Sequence, residues 1–169
     1  LLDRATRLRL RSDVPVGAYL SGGLDSSVIA SLIRRSQVAA LDTFSIAFRD
    51  PAFDESEHQR TMADFLGTRH QVVEASYEDI GRVFPDVVWH AETPLMRTAP
   101  APMFLLSRRV RDAGYKVVLT GEGADELLGG YDLFKEAKIR RFWAAQPASS
   151  WRPRLLGRLY PDIARLAST

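Results

Sequence analysis

The segment that most limits the fold runs from Val16 to Ser27: Val16-Gly17-Ala18-Tyr19-Leu20, then Ser21-Gly22-Gly23, then Leu24-Asp25-Ser26-Ser27. The first five residues are apolar and too short for a stable helix. Asp13-Val14-Pro15 precedes them and a glycine turn follows, so they read as a buried strand. Past the turn, apolar residues at 24, 28, 29, 32 and 33 keep helical spacing as far as Arg35. A strand that turns through glycines directly into a helix belongs to an α/β chain. The pattern recurs downstream: Lys116 to Thr120 reads as a strand, Gly121-Glu122-Gly123 as a turn, and Ala124 to Leu128 as the opening of a helix.

The residues between these units keep the alternation. Leu1 to Arg11 predicts a helix, Leu41 to Phe48 a strand, and Glu55 to Leu66 a helix closed by Gly67. His70 to Val73 predicts a strand. Tyr77 to His90 predicts a helix that Pro85 would kink or break. Pro94, Pro100 and Pro102 mark Thr93 to Pro102 as a loop, and Met103 to Ala113 predicts a helix capped by Gly114. Such alternation predicts a doubly wound parallel sheet flanked by helices, Rossmann-like in outline. Ligands of such sheets bind outside the carboxyl ends of the strands, where both glycine turns fall. After about Phe142 the pattern decays. Pro147, Pro153 and Pro161 interrupt a basic stretch, dividing a core over 1–142 from a helical tail over 143–169.

At the first turn, glycines let backbone N–H groups converge without side chains in the way, and the helix N-terminus adds partial positive charge. Ser21, Ser26 and Ser27 carry hydroxyls that can donate to phosphate oxygens. Asp25 would repel a phosphate unless Mg2+ lies between them, the pairing that this ion favours. No Gly-Lys-Ser/Thr follows, so the turn is not a Walker A loop. At the second turn Glu122, Asp125 and Glu126 crowd one strand-to-helix junction. Their mutual repulsion asks for a cation or a chemical duty.

Composition excludes more than it assigns. There is no cysteine in the 169 residues, so the chain holds no disulfide, zinc thiolate or thiol nucleophile. The net charge is only +2, which makes no case for a nucleic-acid surface. No apolar run is long enough to span a bilayer, and a cytoplasmic protein is expected. The chain opens at Leu1 without an initiator Met and reads as a piece of a longer protein.

Taken together, Ser21 to Ser27 and Leu119 to Glu126 with Gly129-Gly130-Tyr131 resemble the synthetase domain of glutamine-hydrolysing asparagine synthetases. That domain belongs to the N-type ATP pyrophosphatases, with the adenine nucleotide alpha hydrolase-like fold. Phe53-Asp54-Glu55, Gly67-Thr68-Arg69-His70 and Glu92-Thr93-Pro94 resemble the same family, so the likeness runs from about Leu10 to Tyr131. It implies ATP and Mg2+ as cofactors. Leu20, Ile46, Thr120 and Gly121 match nucleotide contacts, Ser21, Gly22, Gly23, Asp25, Ser26 and Ser27 match the pyrophosphate loop, and Asp25 and Asp125 match metal ligands. Glu122 matches the acid used in forming or consuming a β-aspartyl adenylate. The substrates implied are aspartate and ammonia released from glutamine by a glutaminase domain elsewhere in the parent chain. A homodimer is compatible with this.

The chain ends before the family's downstream lysine and aspartate-recognition segment would appear, so this piece alone is expected to bind nucleotide with little turnover. Two other readings stay open: a synthetase on the same scaffold with another acceptor, β-lactam synthetase-like, and a nucleotide-binding module without turnover. A tRNA-modifying adenylating enzyme would want cysteines and a basic face. His58 is expected on an exposed helix face, His70 in packing, and His90 at a helix end that suits its charge. Arg97 is expected to be solvated. Trp143 and Trp151 are expected in a core or interface, and the arginines from Arg140 to Arg165 on a solvated or partner-covered face.

Overall fold

The computed structural model describes residues 1–36 and 40–159. Pro161 and Arg165, the end of the sequence-defined tail, lie outside them. Contacts within the chain gather into two compact units, Leu1–Gly121 and Glu122–Thr169.

The first unit holds a sheet of four strands, β1 (Val16–Tyr19), β2 (Asp42–Phe48), β3 (Arg69–Ala75) and β4 (Val117–Leu119). Their order is β3-β2-β1-β4 and all pairings are parallel. The register sets Ala18 between Thr43 and Leu119. Helices α1 (Leu2–Arg9), α2 (Leu24–Ser36), α3 (Ser56–Leu66), α4 (Tyr77–Ala91) and α5 (Pro100–Asp112) accompany it.

Strand alternation sorts these helices onto two faces. Ala18 and Leu20 point to one side. There Ala18 packs with Ile33 of α2 and with Leu41, just before β2, and Leu20 packs with Ala30 of α2 and Ala63 of α3. Tyr19, Phe44 and Val118 point to the other side, against Leu106 and Val110 of α5. Val83 and Val87 of α4 close over Ala101 there. Phe44 is fully buried and meets Tyr115 edge-on at 5.4 Å, while its ring lies so close to Gly17 that a Cβ there would come within 2.9 Å of it. The predicted doubly wound parallel sheet is therefore present.

Two proline expectations change. Helix α4 runs unbroken from Tyr77 to Ala91 through Pro85. Helix α5 begins at Pro100, inside the predicted loop. Pro100 and Pro102 both fall in its first turn, where the missing N–H would have had no helical partner. Gly67 and Gly114 end α3 and α5 in left-handed conformations, as expected.

The second unit contains α6 (Ala124–Leu128), α7 (Asp132–Ala144) and a short 3₁₀ segment, Arg152–Arg158. Trp151 meets Phe142 edge-on at 5.7 Å, and the Arg152 guanidinium lies 4.0 Å over the Phe142 ring. Trp143 Nε1 donates to the Pro147 carbonyl. Arg140 pairs with Glu136 on the exposed helix face.

Candidate functional site

β1 delivers the first glycine turn to the carboxyl edge of the sheet, and α2 starts immediately after it. The turn is held from within by its serines. Ser26 is 7% exposed, and its hydroxyl donates to the Gly23 carbonyl while accepting from the Ser21 amide at 3.1 Å. The Ser21 and Ser26 hydroxyls meet at 2.8 Å, and the Gly23 amide donates to Ser21 Oγ at 3.2 Å. Ser26 is thus engaged in shaping the loop. Asp25 and Ser27 are partly exposed in the first turn of α2, and Ser21 is exposed.

Close approach explains the glycines. Gly22 has φ +83°, and a Cβ there would stand 2.7 Å from His58 Cβ and 2.8 Å from the Gln59 amide nitrogen. The loop therefore packs directly on the first turn of α3. His58 itself is exposed, as expected. Gly121, at the end of β4, makes the matching approach from the other side. A Cβ on it would lie 2.7 Å from the Ser26 amide nitrogen and 2.9 Å from the Asp25 carbonyl carbon. Thr120–Gly121 and Ser21–Ser27 thus meet at the ends of adjacent strands, as a site built on a sheet edge requires.

Leu20 and Ile46 sit at the same edge. The Leu20 amide donates to the Phe44 carbonyl at 2.9 Å, and the Leu20 carbonyl accepts from the buried Ser45 hydroxyl. The Ile46 carbonyl accepts from Gln59 Nε2 at 2.9 Å. Leu20 is fully buried and Ile46 half-buried.

Glu122, Asp125 and Glu126 belong to the second unit and are placed there by two glycines. Gly123 precedes α6 at φ +88° and Gly129 follows it at φ +72°. The Gly130 amide donates to the Asp125 carbonyl at 3.0 Å, and a Cβ on Gly130 would overlap the Asp125 carboxylate. Tyr131 Oη donates to Glu126 at 2.8 Å. That bond first, then desolvation, then the negative charges of Glu126, Asp125 and Glu122 push the Tyr131 hydroxyl above its ordinary pKa. The three carboxylates therefore do act on one neighbourhood.

Among the described residues no group of three or more His, Cys, Asp or Glu gathers that could hold a metal unaided. The donors in the first loop are a carboxylate and hydroxyls, hard oxygen ligands of the kind Mg2+ takes together with phosphate. The loop fits that ion and offers nothing to a soft one.

Asparagine synthase is the family whose model matches, over residues 1–168. Asparagine synthetase [glutamine-hydrolyzing] 3 of Arabidopsis thaliana is 40% identical over 82% of this chain and 26% of its own length. Asparagine synthetase [glutamine-hydrolyzing] 1 of Bacillus subtilis is 37% identical over 78% of this chain and 21% of its own. The chain belongs to the asparagine synthase family. It spans about a quarter of the length of these relatives. The NH3-dependent NAD synthetase of Campylobacter jejuni superposes with a TM-score of 0.52 at 19% identity, covering 77% of this chain and 57% of that one. This likeness carries the fold, which is the adenine nucleotide alpha hydrolase-like one.

With the family established, three further placements stand out. Gln59 lies behind the first loop, and its signal was available: positions 59, 62, 63 and 66 form the buried stripe of α3, and a glutamine there needs a partner. Tyr131 closes on the acidic turn. Arg97 is exposed as expected, and it lines a cavity of about 450 Å3 with Phe48, Asp50, Phe53 and Tyr77. There Tyr77 Oη donates to Asp50 at 2.6 Å, which holds that carboxyl below its usual range. His90 stacks at a tilt on Phe104, 5.6 Å away. No helix among the described residues is long and apolar enough to cross a membrane.

Proposed function

We propose that this chain is the nucleotide-binding core of an ATP-dependent amide ligase that makes asparagine from aspartate. Membership of the asparagine synthase family supports the ligase reading. The observation that supports the nucleotide site is the closure of Gly121 onto Asp25 and Ser26, which brings the end of β4 onto the first glycine turn at one sheet edge.

In this reading the aspartate side-chain carboxylate attacks the α-phosphorus of ATP. The bond to the bridging oxygen breaks, and pyrophosphate leaves into the Ser21–Ser27 loop, whose shape the Ser21 and Ser26 hydroxyls hold and to which Gly22 and Ser27 are assigned as donors. Ammonia then attacks the acyl carbon and AMP departs with the bonding pair. The attacking nitrogen must lose a proton, and Glu122, one peptide bond beyond Gly121, is the carboxylate assigned to accept it or to orient the nucleophile. Leu20, Ile46, Thr120 and Gly121 contact the nucleotide. Asp25 and Asp125 would hold Mg2+, which supplies charge neutralisation between two anions. Glutamine hydrolysed in a separate glutaminase domain of the parent would supply the ammonia in the cytoplasm. The synthetase core is assigned to 1–142.

The test is aspartate-dependent pyrophosphate release by the full-length protein, with MgATP binding followed by calorimetry. Asp25→Ala should abolish Mg2+-dependent ATP binding. Pyrophosphate release without aspartate, or equal binding by the variant, would reject the assignment.

A further inference from the structure

Gln59 is 3% exposed, on the face of α3 where Met62, Ala63 and Leu66 pack with Leu20. An amide there is costly unless every polar atom is paired. Only half of it is. Nε2 donates to the Ile46 carbonyl at 2.9 Å, whereas Oε1 is buried without a hydrogen-bond partner. The orientation is forced, because turning the amide over would set two acceptors against each other. An apolar residue would fill this place without the orphan oxygen, so the amide's remaining effect is on Ile46.

That effect bears on the nucleotide. Gly22 of the first loop packs against His58 Cβ and the Gln59 backbone nitrogen, and the Gln59 side chain holds Ile46 near the end of β2. One residue thus touches the loop with its backbone and the neighbouring strand end with its side chain. A carbonyl oxygen has two lone pairs. Gln59 takes one at Ile46, and the other stays available at the sheet edge.

We propose that Gln59 is a positioning residue that fixes the Ile46 carbonyl as an acceptor for the amino group of an aminopurine base, and so selects ATP over a 6-oxo purine nucleotide. The inference rests on the nucleotide site proposed above. A 6-amino group donates to a fixed carbonyl, while a 6-oxo group repels it. A carbonyl free to swing discriminates less. Replacing Gln59 by methionine removes one unpaired acceptor and creates another, so stability should hardly change while selectivity does.

The experiment uses the full-length protein, titrated with MgATP and with Mg-inosine triphosphate, which carries a 6-oxo group where ATP has a 6-amino group. Wild type should prefer ATP. Gln59→Met should lower the ATP-to-inosine-triphosphate affinity ratio about tenfold, with a Tm within about 2 °C of wild type. In Gln59→Glu the ionised carboxylate repels the carbonyl and the protonated acid donates to it. Its ratio should therefore recover as the pH falls, where that of wild type does not. Wild type that binds ATP but does not discriminate, or variants that fold and keep its ratio, would overturn the role of Gln59 and leave the nucleotide site standing. Failure of wild type to bind ATP would overturn the site reading itself. If neither variant folds, Gln59 is purely structural and the proposal falls.

Discussion

Single glycines carry much of the candidate site, and the reasons differ from one to the next. Gly22 combines a left-handed φ with contact against α3, whereas Gly67, at φ +61°, has nothing within 4 Å of an added Cβ. Gly67→Ala should therefore cost only backbone strain, about 1 kcal/mol. Gly22→Ala adds overlap with His58 and the Gln59 backbone, and should cost about 2–4 kcal/mol in all. Urea unfolding of both variants checks the order, and equal losses would remove the close packing of loop on helix. At this scale the sequence was informative where chemistry is local. Ser-Gly-Gly before a helix announced the turn from β1 into α2. It could not announce that the Ser26 hydroxyl turns inward, because that depends on Ser21 and Gly23 folding back over it.

Elements were legible by period and punctuation, and proline was the punctuation that misled. A proline stops a helix by removing an interior donor, but in the first turn there is no bond to remove, so Pro100 opens α5 where a loop was expected. Helix α4 shows the complementary device. Ser76 and Asp79 form a reciprocal capping box, with Ser76 Oγ accepting from the Asp79 amide at 3.1 Å and the Asp79 carboxylate accepting from the Ser76 amide at 3.0 Å. Ser76→Ala should destabilise the chain by about 1 kcal/mol, read as a lowered urea midpoint. The pairing of β2 with β3 carries a pH dependence. His70 Nδ1 meets the Thr43 hydroxyl at 2.9 Å, and that hydroxyl meets Thr68 Oγ1 at 2.8 Å. Nε2 is buried without an acceptor for a second proton. Burial lowers the His70 pKa from its ordinary value, and the charge on Asp64 offsets this only in part. The unfolded chain then takes up the proton first. Stability is complete above the unfolded value of about 6.5 and declines as the pH falls from there through the lower folded value. His70→Asn should flatten that acid limb between pH 8 and 5. Equal acid sensitivity in wild type and variant would assign the loss to other groups.

At the scale of the molecule, the parallel sheet turns two distant stretches of sequence into one edge. Ser21–Ser27 follows β1 and Thr120–Gly121 follows β4, and β1 lies beside β4 because the strand order is β3-β2-β1-β4. Alternation of strands and helices predicted parallel strands. It did not predict how closely Gly121, at the end of β4, would sit on the first turn, which only its packing against Ser26 reveals. That contact separates two kinds of glycine in one short motif. Gly121 has no room for a side chain, whereas Gly123, at φ +88°, has open space around it. Alanine at 123 meets strain alone. Alanine at 121 must push the second turn away from the amide nitrogen of Ser26 or displace the start of α2, and either movement opens the cradle where phosphate would bind. Gly121→Ala in the full-length protein should thus weaken MgATP binding by at least about tenfold, or about 1.4 kcal/mol, while Gly123→Ala changes it less. Calorimetric titration of both variants decides the matter. If the two lose affinity equally, the flexibility of the motif governs binding; if only Gly121→Ala does, the edge shared by β1 and β4 is the binding surface.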